Sequence, residues 1–546
     1  MLQLSAQDSQ FLYMETGDNL SHVTSVNIYD PSTVPGNKAV GFKEIIERIR
    51  ERMPMSPFLK RKLVSVPLDL DYPYWADDEY FDLEAHIQHS RLPEPSDWRQ
   101  FCIQVARYHS RPLNMNRPAW EMHVIEGLSN VEGIPEGAFA IATKIHHAAA
   151  DGGSLAQFFG TILDIDNQGT PCIKVDKINS KSTLKPTPAQ MANRAVANNF
   201  GSPIKFLRTV GRATPAAYKA LSGLFKSSRN KEDAGVPFTR FNVPMSPHKV
   251  FDSVDFPLKD FKNLRSLSPE STINDVVLSV ISGTLRRYLT HHNELPKEPL
   301  HAYIPVNARK KDEIQDDKLG NNLAQMIAPI HSQIADPLER LNAIVASTVE
   351  IKARRKQPPA VDAAELAGVI PNATQILASR LIMSQAGSYR SCNLFVSNVM
   401  GSPVPNYFVG AKSLKTFGLA PLNDGMGLFI SSASYDGQMI FSVVSTRKIM
   451  PDIAFFMDCM KESMQEFVAL LDKAPEAPKA KLTKKKPTVK KSPVKKTAAK
   501  KATNKKSVKK SAAASTTKKN TAKNTEKKSL QKKQQAKRPR LKKSNN

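Results

Sequence analysis

The amino-acid sequence predicts an α/β protein of two domains followed by a basic tail. Three observations carry this prediction. The chain has 546 residues, more than one hydrophobic core usually supports. Both long halves alternate apolar runs of strand length with amphipathic runs of helix length. Nearly all of the net charge of +27 is confined to the C-terminal end.

The first predicted domain covers residues 1–165. Phe42–Met53 has apolar residues at helical spacing with charges between them, which predicts an amphipathic helix. Trp120–Leu128 and Ala138–Ile145 are short apolar runs bounded by Pro and Gly, and both predict strands. A second amphipathic helix, with Phe158 on its apolar face, follows. The segment between the second strand and this helix therefore lies on a strand-to-helix turn, where side chains can face a cleft.

Residues 166–243 are predicted to be a linker, because the periodicity fades and Pro, Ser, Asn and Lys become common. The basic stretch Lys205–Lys226 within it is either a surface helix or a contact with an anionic lipid surface. The second predicted domain, 244–472, opens with a strand and a long helix. Further strands are predicted at His301–Arg309, Asn393–Val399, Gly427–Tyr435 and Met439–Thr446, before a closing helix that contains Phe456 and Leu471.

The tail, residues 473–546, carries 28 Lys and Arg against two acids, a charge of +26 that leaves only +1 for the rest of the chain. It has almost no aromatic residues and cannot bury enough apolar surface to fold, so we predict that it is disordered. Its lysines attract polyanions without regard to sequence. A membrane or lipid-inclusion surface, nucleic acid, and a role in solubility alone all remain open.

The N-terminal residues, the apolar runs and the cysteines indicate where in the cell the protein is expected. The N-terminal residues have no basic and apolar signal pattern, and no apolar run approaches the roughly 18 residues that span a bilayer. The four cysteines form no CxxC pair, which argues against a zinc site and fits a reducing compartment. We expect a cytoplasmic protein without a metal, whose contact with the inner membrane face or with lipid inclusions is peripheral.

The motif that carries chemistry is HHAAADG, which begins at His146 and His147. An imidazole has a pKa of about 6.5 and can take a proton from a hydroxyl near neutral pH. Adjacent residues at a strand end point to opposite sides, so only one histidine can enter a cleft. Asp151 can pair with a distant cation and stiffen the turn, and Gly152 permits close backbone approach. A second doublet, His291–His292, lacks the Asp-Gly and is predicted to face solvent.

The HHxxxDG motif resembles the signature of acyltransferases with the chloramphenicol-acetyltransferase-like fold. Further segments, in the same order along the chain, are similar to the bacterial wax ester synthase/acyl-CoA:diacylglycerol acyltransferase family. They are Leu4–Thr16, His109–Leu128, Ser271–Leu289, Ile304–Arg309, Gly320–Ala324, Asn393–Pro405 and Ala420–Asp452. The resemblance covers about residues 4–470. It implies two chloramphenicol-acetyltransferase-like domains with a tunnel between them, entered by CoA from one side and by the alcohol from the other.

The resemblance also implies the site. His147 would be the general base, with His146, Asp151 and Gly152 as supporting geometry; Arg309 is one candidate for the cation beside the aspartate. Acyl-CoA would be a substrate, and no cofactor is expected. Asn274 and Asp275 match the family's Asn-Asp pair, yet Thr272–Asp275 also reads as a helix capping box, so capping, a part in the site, or both remain open.

Two departures from the family pattern concern the substrate pocket. The usual Pro-Leu-Trp is Pro-Ala-Trp here, so Ala119 offers a smaller side chain where a pocket wall is expected. Trp120 is a candidate for that wall, with plain core packing as its alternative. Asn307 stands where Ser is more usual. None of these changes touches the His-His-Asp-Gly motif, so they bear on substrate preference.

The sequence thus favours an O-acyltransferase that makes wax esters, triacylglycerol or both from a fatty alcohol or diacylglycerol. The second hypothesis is a non-catalytic scaffold that uses the basic tail to organise lipid inclusions on nucleic acid. A third is a related acyltransferase with a polyketide or amine acceptor, against which the ordered family segments count.

Overall fold

The computed structural model describes residues 2–149, 158–169, 185–200, 235–307, 323–355, 372–373, 376–377, 380 and 391–473. The residues up to Ala477 form one compact unit. The predictions for Asp151, Gly152, Lys205–Lys226, Arg309 and the tail beyond Lys473 fall outside the described residues and stay predictions.

The N-terminal sheet has six strands in the order β12-β13-β2-β7-β6-β5. Its strands are β2 (His22–Asp30), β5 (Ile87–Arg91), β6 (Trp120–Glu126), β7 (Phe139–His146), β12 (Tyr407–Phe408) and β13 (Ala411–Leu419). Every residue of β7 is buried, because this strand lies between β2 and β6 and both of its faces are covered. The two strands predicted around the histidine motif are therefore confirmed.

Two core clusters lie on opposite faces of this sheet. On one face, α2 (Phe42–Arg52) and residues 158–162 pack against alternate residues of β7, including Phe139 and Ile141. On the other face, α3 (Trp98–His109) packs beside Ala140 and Ala142 and joins a cluster that continues into the C-terminal half. Alternate side chains of β7 thus point to opposite faces of the sheet and contribute to two separate hydrophobic layers.

The C-terminal sheet also has six strands, in the order β10-β9-β11-β14-β15-β8. Its strands are β8 (Lys249–Pro257), β9 (His301–Asn307), β10 (Leu323–Pro329), β11 (Leu394–Met400), β14 (Phe429–Tyr435) and β15 (Gln438–Thr446). The helices of this half are α5 (Leu258–Leu264), α6 (Ile273–His291), α7 (Pro337–Arg355) and α8 (Ile453–Lys473). The predicted strands, the long helix α6 and the closing helix α8 are present; β10, α5 and α7 were not predicted.

One strand of the C-terminal half completes the N-terminal sheet. β13 runs antiparallel to β2, with Thr416 opposite Asn27, and the Thr416 hydroxyl donates a hydrogen bond of 2.8 Å to the Asn27 side-chain oxygen. β12 extends the same edge by pairing with β13. The two halves of the sequence are therefore joined by strand pairing between β13 and β2, which is interrupted by one irregularity between Ser413 and Lys415.

A small third sheet consists of β1 (Leu2–Gln3), β4 (Tyr74–Asp77) and β3 (Arg61–Val64), in that order. A further helix, α4 (Pro188–Phe200), lies within the stretch predicted to be a linker, and its Met191 and Ala195 pack against Tyr74. In the ranges that the structure describes, no helix has the length and apolar character that crossing a bilayer demands.

Candidate active site

The histidine motif begins where β7 ends. His146 is the last strand residue, and its backbone N–H donates to the carbonyl of Ala119 at 2.9 Å. The next residue, His147, donates its backbone N–H to Ser21 O at 2.8 Å. A turn follows at once, with Ala149 N–H donating to His146 O at 2.9 Å. Backbone contacts on both sides therefore fix the position of His147, whose side chain is half-buried.

The ring of His147 is covered on one face. The helix α1 (Ala6–Tyr13) begins at the N-cap Ser5, whose hydroxyl accepts from Asp8 N–H, and it places Phe11 against the motif. The Phe11 and His147 rings stack with centroids 4.0 Å apart and planes 9° from parallel. The stack restricts the orientation of the imidazole, so any acceptor must approach it from another direction.

His146 has a different environment. Its side chain is 1% exposed, its Nδ1 accepts a hydrogen bond from Ala148 N–H at 3.1 Å, and its Nε2 lies 3.2 Å from Glu15 Oε1. The same carboxylate oxygen accepts from Ser21 N–H at 2.7 Å. The first histidine is therefore turned into the protein, where it holds the turn, and the second is not.

A layer of buried polar groups lies behind the motif. His109 joins two strand residues: its carbonyl lies 2.6 Å from His22 Nε2, and its Nδ1 lies 2.8 Å from the Thr24 hydroxyl. Burial, reinforced by the positive charges of Lys249 and Lys144, lowers the pKa of His109 to about 3. A ring with so low a pKa is a weak base near neutral pH, so this histidine has a structural role.

Asn274 and Asp275 lie at the start of α6. The capping box predicted from the sequence is present: Asp275 Oδ2 accepts from Thr272 N–H at 2.8 Å, and Thr272 Oγ1 accepts from Asp275 N–H at 3.3 Å. The other oxygen of Asp275 accepts from the Thr348 hydroxyl at 2.8 Å. Asn274 Oδ1 accepts from Asn398 at 3.4 Å, at the end of β11. Capping is thus observed for the aspartate, and a part in the site remains a prediction.

The two pocket candidates are both buried. Trp120 is 1% exposed, donates its indole N–H to Leu59 O at 2.8 Å and stacks on His86 with centroids 4.6 Å apart. These contacts lie within the core cluster on the α2 face of the sheet. Ala119 is 2% exposed, and its carbonyl accepts the backbone N–H of His146, the last residue of β7. The packing of Trp120 fits the core alternative, and a pocket role for either residue stays a prediction.

Three residues at this site were not singled out from the sequence: Phe11, Glu15 and Ser21. The segment Leu4–Thr16 carried only a family resemblance, and neither a lone phenylalanine nor a lone glutamate signals contact with a motif about 130 residues away. The structure supplies that link because β2, which follows Ser21 directly, pairs with β7 so that His22 lies opposite His146.

The segment between Glu15 and Ser21 is also tied to the C-terminal half. Asn19 donates its side-chain amide to Asp424 Oδ2 at 3.1 Å, and the other oxygen of Asp424 accepts from Met245 N–H at 2.7 Å. Lys249 donates from Nζ to Asp18 O at 3.3 Å. The residues that hold the histidine turn are therefore braced by both halves of the chain.

Comparison with known families agrees with this geometry. Residues 4–277 match the family described as "Wax ester synthase/diacylglycerol acyltransferase catalytic domain", and residues 319–467 match "WS/DGAT C-terminal domain". The chain belongs to this family. It is accordingly an O-acyltransferase of the wax ester synthase/diacylglycerol acyltransferase type, as the sequence predicted.

Individual relatives align with most of the chain. A putative diacylglycerol O-acyltransferase of Mycobacterium tuberculosis is 29% identical, over 87% of this chain and 92% of the relative. The O-acyltransferase WSD of Acinetobacter baylyi is 29% identical, over 87% of this chain and 98% of the relative.

Two solved structures share the fold. The wax ester synthase/diacylglycerol acyltransferase of Marinobacter aquaeolei has a TM-score of 0.61 at 23% identity and covers 86% of this chain and 100% of its own. The trichothecene 15-O-acetyltransferase of Fusarium sporotrichioides has a TM-score of 0.55 at 11% identity, covering 85% and 94%. The predicted fold class is confirmed: the two six-stranded sheets are the centres of two chloramphenicol-acetyltransferase-like domains.

Proposed function

We propose that this protein transfers an acyl group from acyl-CoA to the hydroxyl of a fatty alcohol or a diacylglycerol, with His147 as the general base and without a cofactor. The observation that carries the proposal is the contrast within the motif. His146 is buried against Glu15, whereas His147 lies at the start of the turn, held by backbone contacts and half-buried. The greater exposure of His147 supports its assignment, over His146, as the base.

The chemistry needs one base and an activated acyl donor. His147 takes the proton of the acceptor hydroxyl as its oxygen attacks the thioester carbonyl, forming the new C–O bond. Collapse of the tetrahedral intermediate breaks the C–S bond, and the CoA thiolate recovers the proton from His147. The products are an ester and CoA-SH, so atoms and charge balance without an acyl-enzyme. The chain has no GxSxG elbow, which fits direct transfer.

The two acceptor classes come from the relatives. The Marinobacter structure is named for both wax ester synthesis and diacylglycerol acylation, and the mycobacterial relatives are named diacylglycerol O-acyltransferases. Both acceptors present a hydroxyl next to long hydrocarbon chains, so the base would perform the same step on either. Selection between them then depends on the walls of the pocket, where Ala119 is our candidate for an enlarged space.

The basic tail supplies a further part of the proposal. Its charge of +26 suits attachment to an anionic lipid surface, because each Lys or Arg near such a membrane contributes about 1 kcal/mol. We propose that this attachment keeps the enzyme beside its water-insoluble substrates. Nucleic acid offers the same kind of charge and is an alternative partner in any binding assay.

The proposal is tested by measuring CoA release from palmitoyl-CoA with hexadecanol, with a dioleoylglycerol, and with an amine acceptor. Thin-layer separation of wax esters from triacylglycerols identifies the product. We expect an ester product with at least one of the two lipid alcohols and none with the amine. If neither lipid alcohol raises CoA release above the rate of the His147→Ala variant, the result would support the scaffold alternative and overturn the enzyme mechanism.

A further inference from the structure

The carboxylate of Glu15 is where the contacts that hold the histidine turn meet. Glu15 Oε1 accepts the Ser21 backbone N–H at 2.7 Å and lies 3.2 Å from His146 Nε2. Ser21 in turn accepts the His147 backbone N–H at 2.8 Å through its carbonyl. One oxygen atom therefore contacts both the histidine before the turn and the residue that fixes the backbone of His147.

The contacts of His146 determine its tautomer. Its Nδ1 receives the Ala148 backbone N–H at 3.1 Å, and a backbone amide can only donate. Nδ1 must then be the unprotonated, accepting nitrogen, and the ring proton resides on Nε2. This nitrogen lies 3.2 Å from Glu15 Oε1 without the geometry of a hydrogen bond, so the carboxylate acts on it by electrostatic attraction. If the ring rotated or changed tautomer, Ala148 N–H would lose its acceptor in the first turn after His147. The placement of His147 thus depends on His146 keeping this one state.

We infer that Glu15 is a positioning residue that acts through His146 and Ser21: it holds the Nε2-protonated tautomer and so fixes the turn that carries His147. This inference rests on the proposed role of His147 as the base. It assigns no chemical step to Glu15, whose effect would be on the geometry of the reacting group.

Two features strengthen the inference. The His146 side chain is 1% exposed and that of Glu15 is 24% exposed, so water screens the attraction between the carboxylate and the Nε2 proton only weakly. Glu15 also lies two residues after α1, the helix whose Phe11 stacks on His147. The segment that carries the carboxylate is therefore held against the same turn by the Phe11–His147 stack.

The first test compares three variants in the full-length protein. Glu15→Ala should lower kcat roughly 10- to 100-fold, the size expected for a misplaced catalytic group, with KM for palmitoyl-CoA changed less than about twofold. Glu15→Gln keeps an oxygen acceptor and should restore kcat to within a few-fold of wild type. Glu136→Ala, which removes an exposed acid before β7, is the matched control and should leave both parameters unchanged.

A double-mutant cycle separates positioning from general loss of structure. His146→Asn retains an acceptor for Ala148 N–H but has no group that reaches Glu15. If the Glu15 carboxylate acts through the His146 ring, Glu15→Ala should lower kcat by a much smaller factor in the His146→Asn background than in wild type. Additive losses in kcat, or a Glu15→Gln variant as slow as Glu15→Ala, would overturn the inference. Melting temperatures identify variants that fail to fold, and if Glu15→Ala is one of them, Glu15→Leu, which also removes the carboxylate but keeps apolar bulk, takes its place in the cycle.

The failure of this inference can be told apart from the failure of the proposed function. A His147→Ala variant with wild-type kcat would remove the proposed base and with it the reason for positioning. A His147→Ala variant without activity, beside a Glu15→Ala variant of wild-type kcat, would overturn the role of Glu15 alone.

Discussion

The chain contains two histidine doublets, and the structure gives them opposite surroundings. The first, His146–His147, ends a fully buried strand, and each ring has its own partner: Glu15 for one and Phe11 for the other. The second, His291–His292, ends α6, a helix whose last turn reaches solvent. The same dipeptide therefore occurs once at a braced turn and once at an open helix end.

The contacts of the second doublet belong to a surface cluster. His291 is exposed and leans on Phe455 with ring centroids 4.4 Å apart. His292 Nε2 lies 3.0 Å from Asp452 Oδ2, and that carboxylate also accepts the Tyr288 hydroxyl. Because the two doublets have identical side chains, the backbone and neighbours around each pair are what distinguish a candidate base from a surface histidine.

The largest effect should come from removing one histidine of each doublet. His147→Ala is expected to lower kcat by roughly 10²- to 10⁴-fold, the contribution typical of a positioned general base, because no other group would take the acceptor proton. His292→Ala should leave kcat within twofold of wild type. Steady-state CoA release with saturating hexadecanol measures both. Comparable losses in the two variants would remove the functional distinction between the doublets.

The next effect concerns the ring beside the second histidine of each doublet: Phe11 stacks parallel on His147, whereas Tyr288 meets His292 edge-on. Phe11→Ala should lower kcat by roughly tenfold, because His147 would lose the aromatic face that limits its rotation. Phe11→Leu keeps apolar bulk without the ring and should fall between wild type and Phe11→Ala. An unchanged kcat in Phe11→Ala would mean that the backbone contacts alone orient the base.

Buried histidines in the sheet of the first doublet should make stability depend on pH. Burial, with the positive charges of Arg111, His89 and Lys144, lowers the pKa of His123 to about 4 from about 6.5 in an unfolded chain. The unfolded state thus binds the proton first, and this part of the stability is present above pH 6.5 and lost as pH falls toward 4. His123→Gln should reduce the slope of unfolding free energy in that window by up to about 1.4 kcal/mol per pH unit.

Urea unfolding of wild type and His123→Gln at pH 7.5, 6.5, 5.5 and 4.5 measures this slope. The two proteins should change in parallel above pH 6.5 and diverge below it. Equal slopes through the acid range would mean that His123 is protonated in the folded protein.

The smallest effect on turnover should come from the tail. Deleting the residues after Lys473 should leave kcat on a detergent-dispersed substrate unchanged, because the braced turn lies wholly within the body. Sedimentation with vesicles that contain phosphatidylserine should fall strongly, and it should fall in wild type too when salt is raised. Undiminished vesicle binding by the truncated chain would refute the tether, and binding to DNA alone would point to nucleic acid.

The sequence predicted the fold class and those strands and helices whose apolar pattern is long and regular. Phe42–Met53 and the two strands that precede the motif, Trp120–Leu128 and Ala138–Ile145, were each placed to within a few residues. β13 was missed because Ala411–Leu419 alternates weakly, with Ser, Lys and Thr among its residues, and its pairing with β2 joins segments about 390 residues apart. Such a pairing depends on tertiary contacts that local pattern does not contain.

The candidate site was predicted in part. The histidine doublet and the capping box of Asp275 were visible because both are local patterns of fixed spacing. The partners Phe11 and Glu15 were not, because they reach the motif only after β2 has paired with β7. The sequence therefore indicates the proposed base, and the fold indicates which residues contact it.

We propose direct transfer, in which His147 takes the proton of the acceptor hydroxyl while the acceptor oxygen attacks the thioester. Rapid mixing of enzyme with excess palmitoyl-CoA, with and without hexadecanol, tests it most directly through the release of CoA in the first turnover. Direct transfer predicts CoA release only when hexadecanol is present, and none above background from His147→Ala in either case. A burst of CoA equal to the enzyme concentration without acceptor, or a full first turnover by His147→Ala, would contradict it.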